Sequence, residues 1–411
     1  MDVITHANQE SGLLESLQAQ QVSDLYTYRL TANAPNGSKN IVSVSTSDSL
    51  GLGNNISFNL PKFGLLERAV LITDFTSDTQ EITGNCANYA DAGSKMFSDI
   101  TLRAHSLIIC SANPQYNYIR TRQAPSEVAV TLSYLQTPIH ATSSSVVSFT
   151  TGGQVMRVCT PLWLPFFEKP TNYLDLDFCE QLQVNATINS LAQLGLTITP
   201  TFQSVKLWCF FRILSNEARR AYQAKNFNPE RPLNMLIYDQ YSETAVCTAS
   251  NSNSITLKVP HAVFASHAYI SPTTMLGTPS RNITALNYSM SGRTIFETVP
   301  QQVFKYDQSF YGVSCISVST SSTVVYATGL NAAGGSAPST GVNVPPVSVF
   351  WGESSDRTWN SHAVAMSNVN NPIITVNGLM TATDTLNVVH EYYKLVSISP
   401  DDGRLTVGFS I

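Results

Sequence analysis

The stretch Ser204 to Tyr222, SVKLWCFFRILSNEARRAY, decides how the rest of the chain is read. From Val205 to Ile213 it is apolar and aromatic, interrupted only by Lys206 and Arg212. Trp208, Cys209, Phe210, Phe211 and Ile213 predict a strand buried on both faces. The character then switches within two residues. Ser215 is a good N-cap, and Asn216-Glu217-Ala218-Arg219-Arg220-Ala221-Tyr222 predicts a short polar helix. Glu217 sits in its first turn, near the positive end of the helix dipole. A strand that closes one unit, followed by a polar helix, marks a hinge between two domains.

Composition fits two domains. A chain of 411 residues can bury two separate cores. Only 12% of residues are charged, against ~25% in an average soluble protein. Ser, Thr and Asn take their place, as suits β-sandwiches whose outer faces are neutral, polar and covered by neighbouring copies. The net charge is -5 and no run of Lys or Arg occurs, which argues against sequence-specific nucleic-acid binding or packaging by a basic arm. The seven cysteines, Cys86, Cys110, Cys159, Cys179, Cys209, Cys247 and Cys315, include no CxxC. Their scatter and apolar contexts predict reduced, buried thiols and synthesis in a reducing compartment. No apolar run reaches the ~18 residues of a membrane span, and no basic-then-apolar leader opens the sequence.

Outward from the hinge, β signals dominate. Residues 1–30 form an arm with Leu13, Leu14, Leu17, Val22 and Leu25 at roughly helical spacing. It packs on its own domain, or reaches under a neighbour or towards an internal membrane. Ile56-Ser57-Phe58-Asn59-Leu60-Pro61 alternates as a half-buried strand should, and Leu65 to Ile72 continues as a second. Ile100 to Cys110, Val128 to Leu132 and Val146 to Thr150 are further strand candidates, and Thr73 to Phe97 reads as a polar loop. Ile255-Thr256-Leu257-Lys258-Val259-Pro260 then repeats the pattern of residues 56–61. Arg293-Thr294-Ile295-Phe296 to Pro300-Gln301 answers Leu107-Ile108-Ile109-Cys110 to Pro114-Gln115. Two ordered repeats predict two related halves. Tyr288 to Phe296 predicts a hairpin turning at Ser291-Gly292. Gly329 to Pro346 is too poor in apolar side chains for a core strand and reads as an exposed loop.

Four stretches, in order, resemble the double jelly-roll major capsid proteins of nucleocytoplasmic large DNA viruses, virophages and polinton-like viruses. They are the hinge at residues 204–222, the opening "F-x-L-P-x-x-G-L-L" at Phe58 to Leu66, PLWLPFFEKPTNYLDLDFCEQLQVNATI at residues 161–188, and HEYYKLVSI with its Asp401-Asp402-Gly403 turn and closing Leu405 to Ser410. Asp175 and Asp177 stand where that family usually has apolar residues or Pro. The resemblance implies an all-β fold of two consecutive eight-stranded antiparallel jelly rolls, with short helices in loops and at the linker. It places a first roll at 31–214, a linker helix and extended link at 215–244 (Asn234 to Gln240 as the link), and a second roll at 245–411. It implies a homotrimeric, pseudo-hexagonal capsomer tiling an icosahedral shell in the virion, made in the host cytoplasm or nucleus. Partners would be neighbouring capsomers, minor capsid or penton proteins, and an internal membrane met by the N-terminal arm. Loops 73–97 and 328–344 would form an outer tower, with the arm, Arg219 and Arg220 near the base.

No catalytic, cofactor-binding or metal residues are predicted, and the chain is read as not an enzyme. His261 and His267 are too far apart in a strand region for a zinc pair. Asp175, Asp177 and Glu180 read as the exposed side of a strand rather than a calcium loop or carboxylate pair. Asp401-Asp402-Gly403 reads as a turn, and no G-x-S-x-G, P-loop or dinucleotide fingerprint is present. The sequons at Asn36, Asn55, Asn185, Asn282 and Asn287 are expected to be unmodified. The alternative reading is a carbohydrate-binding or glycoside-cleaving β-sandwich that stacks sugars on its 17 tyrosines and 4 tryptophans.

Overall fold

The computed structural model describes residues 38–76, 92–123, 135–136, 139–140, 155–167, 174–194, 199–220, 233–274, 276, 281–310, 346–351 and 363–409. The first half holds β1 (Ser38–Ser45), β2 (Asn55–Asn59), β3 (Leu65–Thr76), α1 (Ala92–Lys95), β4 (Phe97–Ala104), β5 (Leu107–Ala112), α2 (Pro114–Gln123), β6 (Ile139–His140), β7 (Val155–Pro161), β8 (Leu174–Asp175), β9 (Leu182–Ile188), α3 (Leu191–Leu194) and β10 (Thr201–Ile213). The second holds β11 (Leu233–Val246), β12 (Ser252–Thr256), β13 (Ala262–Pro272), β14 (Ala285–Met290), β15 (Arg293–Pro300), α4 (Gln301–Phe310), β16 (Val347–Phe350), β17 (Val364–Ala365), β18 (Ile373–Asn377), β19 (Asp384–Ile398) and β20 (Leu405–Phe409).

Strand order shows the duplication. The first half forms one sheet ordered β1-β10-β3-β7 and a second ordered β2-β9-β4-β5. The second half repeats both, as β11-β19-β13-β16 and β12-β18-β14-β15. The pairings are antiparallel throughout. Eight strands in two facing four-stranded sheets, with this alternation of the chain between sheets, make a jelly roll in each half. The additional strands β6, β8, β17 and β20 extend the first sheet of each pair. Both sequence repeats touch equivalent elements, the second pair on β5–α2 and β15–α4, but the first is two residues out of register: β2 holds residues 56–59, β12 only Ile255 and Thr256, and the ladders match Leu60 to Leu257.

Period-two patterning explains the inner faces. Ile56 and Phe58 of β2 point into the first core, while Ser57 and Asn59 face out. Val184, Ala186 and Ile188 of β9 pack opposite them. In the second roll Ile255, Ile374, Val376, Leu286 and Tyr288 build the matching core. The Ser291-Gly292 turn has both residues at positive φ, 50° and 75°, the geometry a two-residue hairpin needs.

Four expectations are corrected. The strand at 205–213 is not buried on both faces: β10 alternates, with Val205, Leu207, Cys209 and Phe211 inside and Lys206, Trp208, Phe210 and Arg212 outside. Residues 100–110 are not one strand but two, because His105 adopts φ 52° and turns β4 into β5. Residues 175–178 are mostly turn; only Leu174–Asp175 pairs, with β3, and Asp175 is buried. Residues 234–240 are extended but lie inside β11, fully laddered to β19. The Ser215 cap stands: residues 216–220 are helical, and Ser215 Oγ accepts from Ala218 N at 3.3 Å. The arm at 1–30, the strand candidates at 128–132 and 146–150, and the loop at 329–345 lie outside the described residues.

Leu207 lies at the centre of the first core, fully buried beside Leu71 on β3. Leu207→Ala is expected to destabilise the fold by about 2–5 kcal/mol, measured by denaturant unfolding.

Candidate assembly interface

Among the described residues, sheet β11-β19-β13-β16 is covered on both faces. Every residue of β13 from Ala262 to Ser271 is buried, and β19 is buried from Asp384 to Lys394. One face supplies Val263, Ala268, Ile270, Leu386 and Val388 to the core of the second roll. The other gives Phe264, Ala265, Tyr269, Val389 and Tyr393 to a core continuous with the first roll. An apolar run covered on both sides is what a two-sided environment demands.

The first roll covers that face with β5 and α2. Asn113 begins the contact. Its Oδ1 caps α2 by accepting from Tyr116 N at 2.8 Å, and its Nδ2 donates to Ser242 Oγ at 2.8 Å and Gln240 Oε1 at 3.3 Å. Tyr118 lies against Tyr269 with ring centres 5.4 Å apart. The Arg120 guanidinium lies over Trp163 and Tyr238, at 5.4 and 6.0 Å. At the far end of α2, Gln123 Nε2 donates to Ser348 Oγ at 3.1 Å and lies 3.0 Å from His267 Nδ1. The edge of β5 meets Asp239: Ser111 N donates to its Oδ1 at 3.0 Å. Asp239 Oδ2 accepts from Lys394 Nζ at 3.0 Å and Tyr392 OH at 3.3 Å. Burial and the neighbouring Asp239 charge push the Tyr392 hydroxyl well above its ordinary range.

The chain's last hairpin closes the opposite side. Glu180 N donates to Gly403 O at 2.9 Å, and Leu405 N donates to Glu180 Oε1 at 2.7 Å. Gly403 has φ 67°, and a Cβ there would stand 2.0 Å from Phe178 O. Only glycine fits both constraints.

These contacts join the two rolls along a largely buried seam. No family model and no curated protein matches the sequence. Solved structures match the fold. The PBCV-1 virus capsid superposes with a TM-score of 0.65 at 13% identity, over 91% of this chain and 98% of that one. This chain has the double jelly-roll fold. The Faustovirus major capsid protein gives a TM-score of 0.58 at 6% identity, over 95% and 99% of the two chains. The Sputnik virophage structure gives 0.56 at 10% identity, over 92% and 89%.

Within this double jelly roll, the residues weighed for chemistry take structural roles. His267 is fully buried between Ser348, Gln123 and Glu391, whose Oε2 lies 3.6 Å from its Nε2. His261 stacks on Tyr392 at 3.9 Å. Asp175 accepts from Asp177 N, and burial, then the Asp177 charge, raise it to about 6. Asp177 accepts from Gly64 N at 2.8 Å and pairs with Arg219 at 3.1 Å. Asp402 caps its own turn by accepting from Arg404 N. Among the described residues no group of three His, Cys, Asp or Glu is placed to hold a metal. Cys159, Cys179, Cys209 and Cys247 are free thiols and Cys110 is buried; Cys86 and Cys315 lie outside the described residues. Burial raises Cys159 and Cys209 to about 12, so neither is a nucleophile. Asn287 is occupied by accepting from Thr298 N.

Sequence reasoning passed over the seam. Asn113-Pro114 was legible as a cap and first helical residue, but nothing local links Asp239 to Lys394 or Ser111. Asp239→Ala leaves the Lys394 ammonium and the Ser111 N–H buried without their carboxylate. A loss of about 3–5 kcal/mol is expected, read from thermal or urea unfolding.

His390 gives a pH signature. It is fully buried, with Nδ1 2.9 Å from Ser266 Oγ. Burial, then nearby His267, lower its pKa to about 3. The unfolded chain therefore takes up this proton below about 6.5 while the folded one does not. Stability from this group is present above pH about 6.5 and is lost as the pH falls towards 3. Asp175, raised to about 6, runs the other way between there and the ordinary carboxylate value. The difference between wild type and His390→Gln isolates the histidine: the variant is expected to lose less stability between pH 6.5 and 4, about 1.4 kcal/mol less per pH unit at most, by urea titration.

Proposed function

We propose that this chain is a major capsid protein, and that three copies form a pseudo-hexagonal capsomer that tiles an icosahedral shell. The observation that carries the reading is the exact repetition of strand order in two rolls of one chain, joined by a seam of apolar packing and hydrogen bonds. Two similar rolls per subunit give a trimer six nearly equivalent wedges. A ring of six such wedges has a hexagonal outline, which fills a surface without gaps. The low charged fraction of 12% supports wide contacts between copies without burial of unpaired charge. Solved neighbours of the same fold are described as major capsid proteins or virus capsids.

The role is structural rather than enzymatic. The partners are further copies of the chain in neighbouring capsomers, with minor capsid or penton proteins at the vertices. The protein resides in the virion and is made in the host cytoplasm or nucleus. Residues 1–30 and the linker helix with Arg219 and Arg220 lie towards the base of the capsomer, where the arm meets an internal membrane. The loops read at 73–97 and 328–344, of which residues 73–76 belong to β3 and 92–95 to α1, supply the outer tower. The glycoside-cleaving alternative finds no support, since Asp175, Asp177 and Glu180 are each taken up by contacts within the fold.

The test is mass and shape in solution. Sedimentation is expected to give three times the 44.8 kDa chain mass, and electron microscopy three-fold particles with hexagonal outlines. A monomer retained on a polysaccharide column would overturn the reading.

A further inference from the structure

We propose that the buried pair Lys394–Asp239 condenses, once the chain has folded, into an amide bond between the two side chains, joining β11 to β19 and releasing one water. The bond is independent of what the chain assembles into.

The ladder brings the two groups together. Asp239 on β11 lies opposite Tyr392 on β19, and Lys394 lies opposite Ile237. Asp239 and Lys394 are therefore diagonal neighbours on one face of the sheet. Lys394 Nζ stands 3.0 Å from Asp239 Oδ2, and only 7% and 5% of the two side chains are exposed. Cγ, the carbon to be attacked, is one bond beyond Oδ2. An amine and a carboxyl held this way approach the near-attack geometry that gives intramolecular reactions very high effective concentrations.

Burial favours the uncharged product. In water, solvation stabilises an ammonium and a carboxylate against condensation. Here both ions have lost most of that solvation. A proton passes from Nζ to Oδ2 along the 3.0 Å contact and leaves a neutral amine beside a neutral acid. Their condensation removes both charges from the interior and returns one water to solvent.

The other contacts of the carboxyl match the steps. Oδ1 accepts from Ser111 N at 3.0 Å and from Gln240 N at 2.9 Å. Two backbone N–H groups on one oxygen make an oxyanion hole for the tetrahedral intermediate that forms when Nζ adds to Cγ. Oδ2 is the leaving oxygen. It already carries the first proton from Nζ, and it accepts from Tyr392 OH at 3.3 Å. The nitrogen gives up a second proton to it, the Cγ–Oδ2 bond breaks, and Oδ2 departs as water. One ammonium and one carboxylate thus give one amide and one water, with no oxidant, reductant or activating group. Burial, then the Asp239 charge, keep the Tyr392 hydroxyl protonated and so able to donate. His261, stacked on that ring at 3.9 Å, holds it in place. The joined positions are 155 residues apart and enclose nearly all of the second roll. Closing so long a loop restricts the unfolded chain, and it stops β11 from leaving β19.

Mass spectrometry of the purified full chain tests the bond, and the wild-type measurement needs no variant to fold. The intact mass is expected one water below that of the sequence. After trypsin, residues 226–258 and 358–404 are expected as one branched peptide, uncut at Lys394, because trypsin does not cleave after an acylated lysine. Lys394→Arg keeps the positive charge but forms no such amide, and is expected at its full sequence mass. Tyr392→Phe is expected to join at least about tenfold more slowly, read from the share of branched peptide at intervals after synthesis. A wild-type chain at full sequence mass, cut normally after Lys394, would overturn the proposal. A missing water that persists in Lys394→Arg would also overturn it, since the loss would then lie elsewhere, as in a ring closed at Asn377-Gly378. A Tyr392→Phe chain that joins as fast as wild type would overturn the part given to the hydroxyl.

Discussion

Sheet β11-β19-β13-β16 is apolar on both faces, and a sheet of that kind must be covered twice. One cover is its own partner sheet, β12-β18-β14-β15. The other is the β5 edge and α2 of the preceding roll. Much else follows from this requirement. It explains why α2 is buried along its length while α4, at the same place in the second roll, is not. It also explains why the C-terminal hairpin packs against Phe178 and Glu180, and why position 403 admits only glycine.

The second cover is not purely apolar. Asp239, Lys394, His267, Glu391, His390 and Gln123 lie in or beside it, nearly all fully buried. Buried charge of this kind adds little net stability compared with well-packed apolar residues. Its cost when mispaired is high, so it favours one register of the two rolls over slipped alternatives. At the places equivalent to Arg68 and Arg212 of the first roll, the second roll has Ala265 and Tyr393.

Much of the fold was legible because β periodicity is local. Ile56 and Phe58 alternate with Ser57 and Asn59, and Ser291-Gly292 and Asp402-Gly403 are turn dipeptides whose geometry follows from φ. The two-residue hairpin at His105 was missed because no Gly, Asn or Pro announces it. The outward Trp208 and Phe210 misled in a more useful way. Large aromatic side chains usually mean burial, and here they are only half covered within one chain. The seam was the least legible part, because Ser111 and Asp239 are 128 positions apart and neither sits in a motif.

The sequence by itself determined that the chain is all-β, that it holds two related halves, and that Ser215 caps a short helix after the strand at 201–213. Those properties depend on hydrophobic period, turn chemistry and capping, which act over a few residues. Only the tertiary structure decided which sheet is covered on both faces and which edge does the covering. Burial of a face depends on what arrives from a hundred residues away, and no local pattern records that arrival.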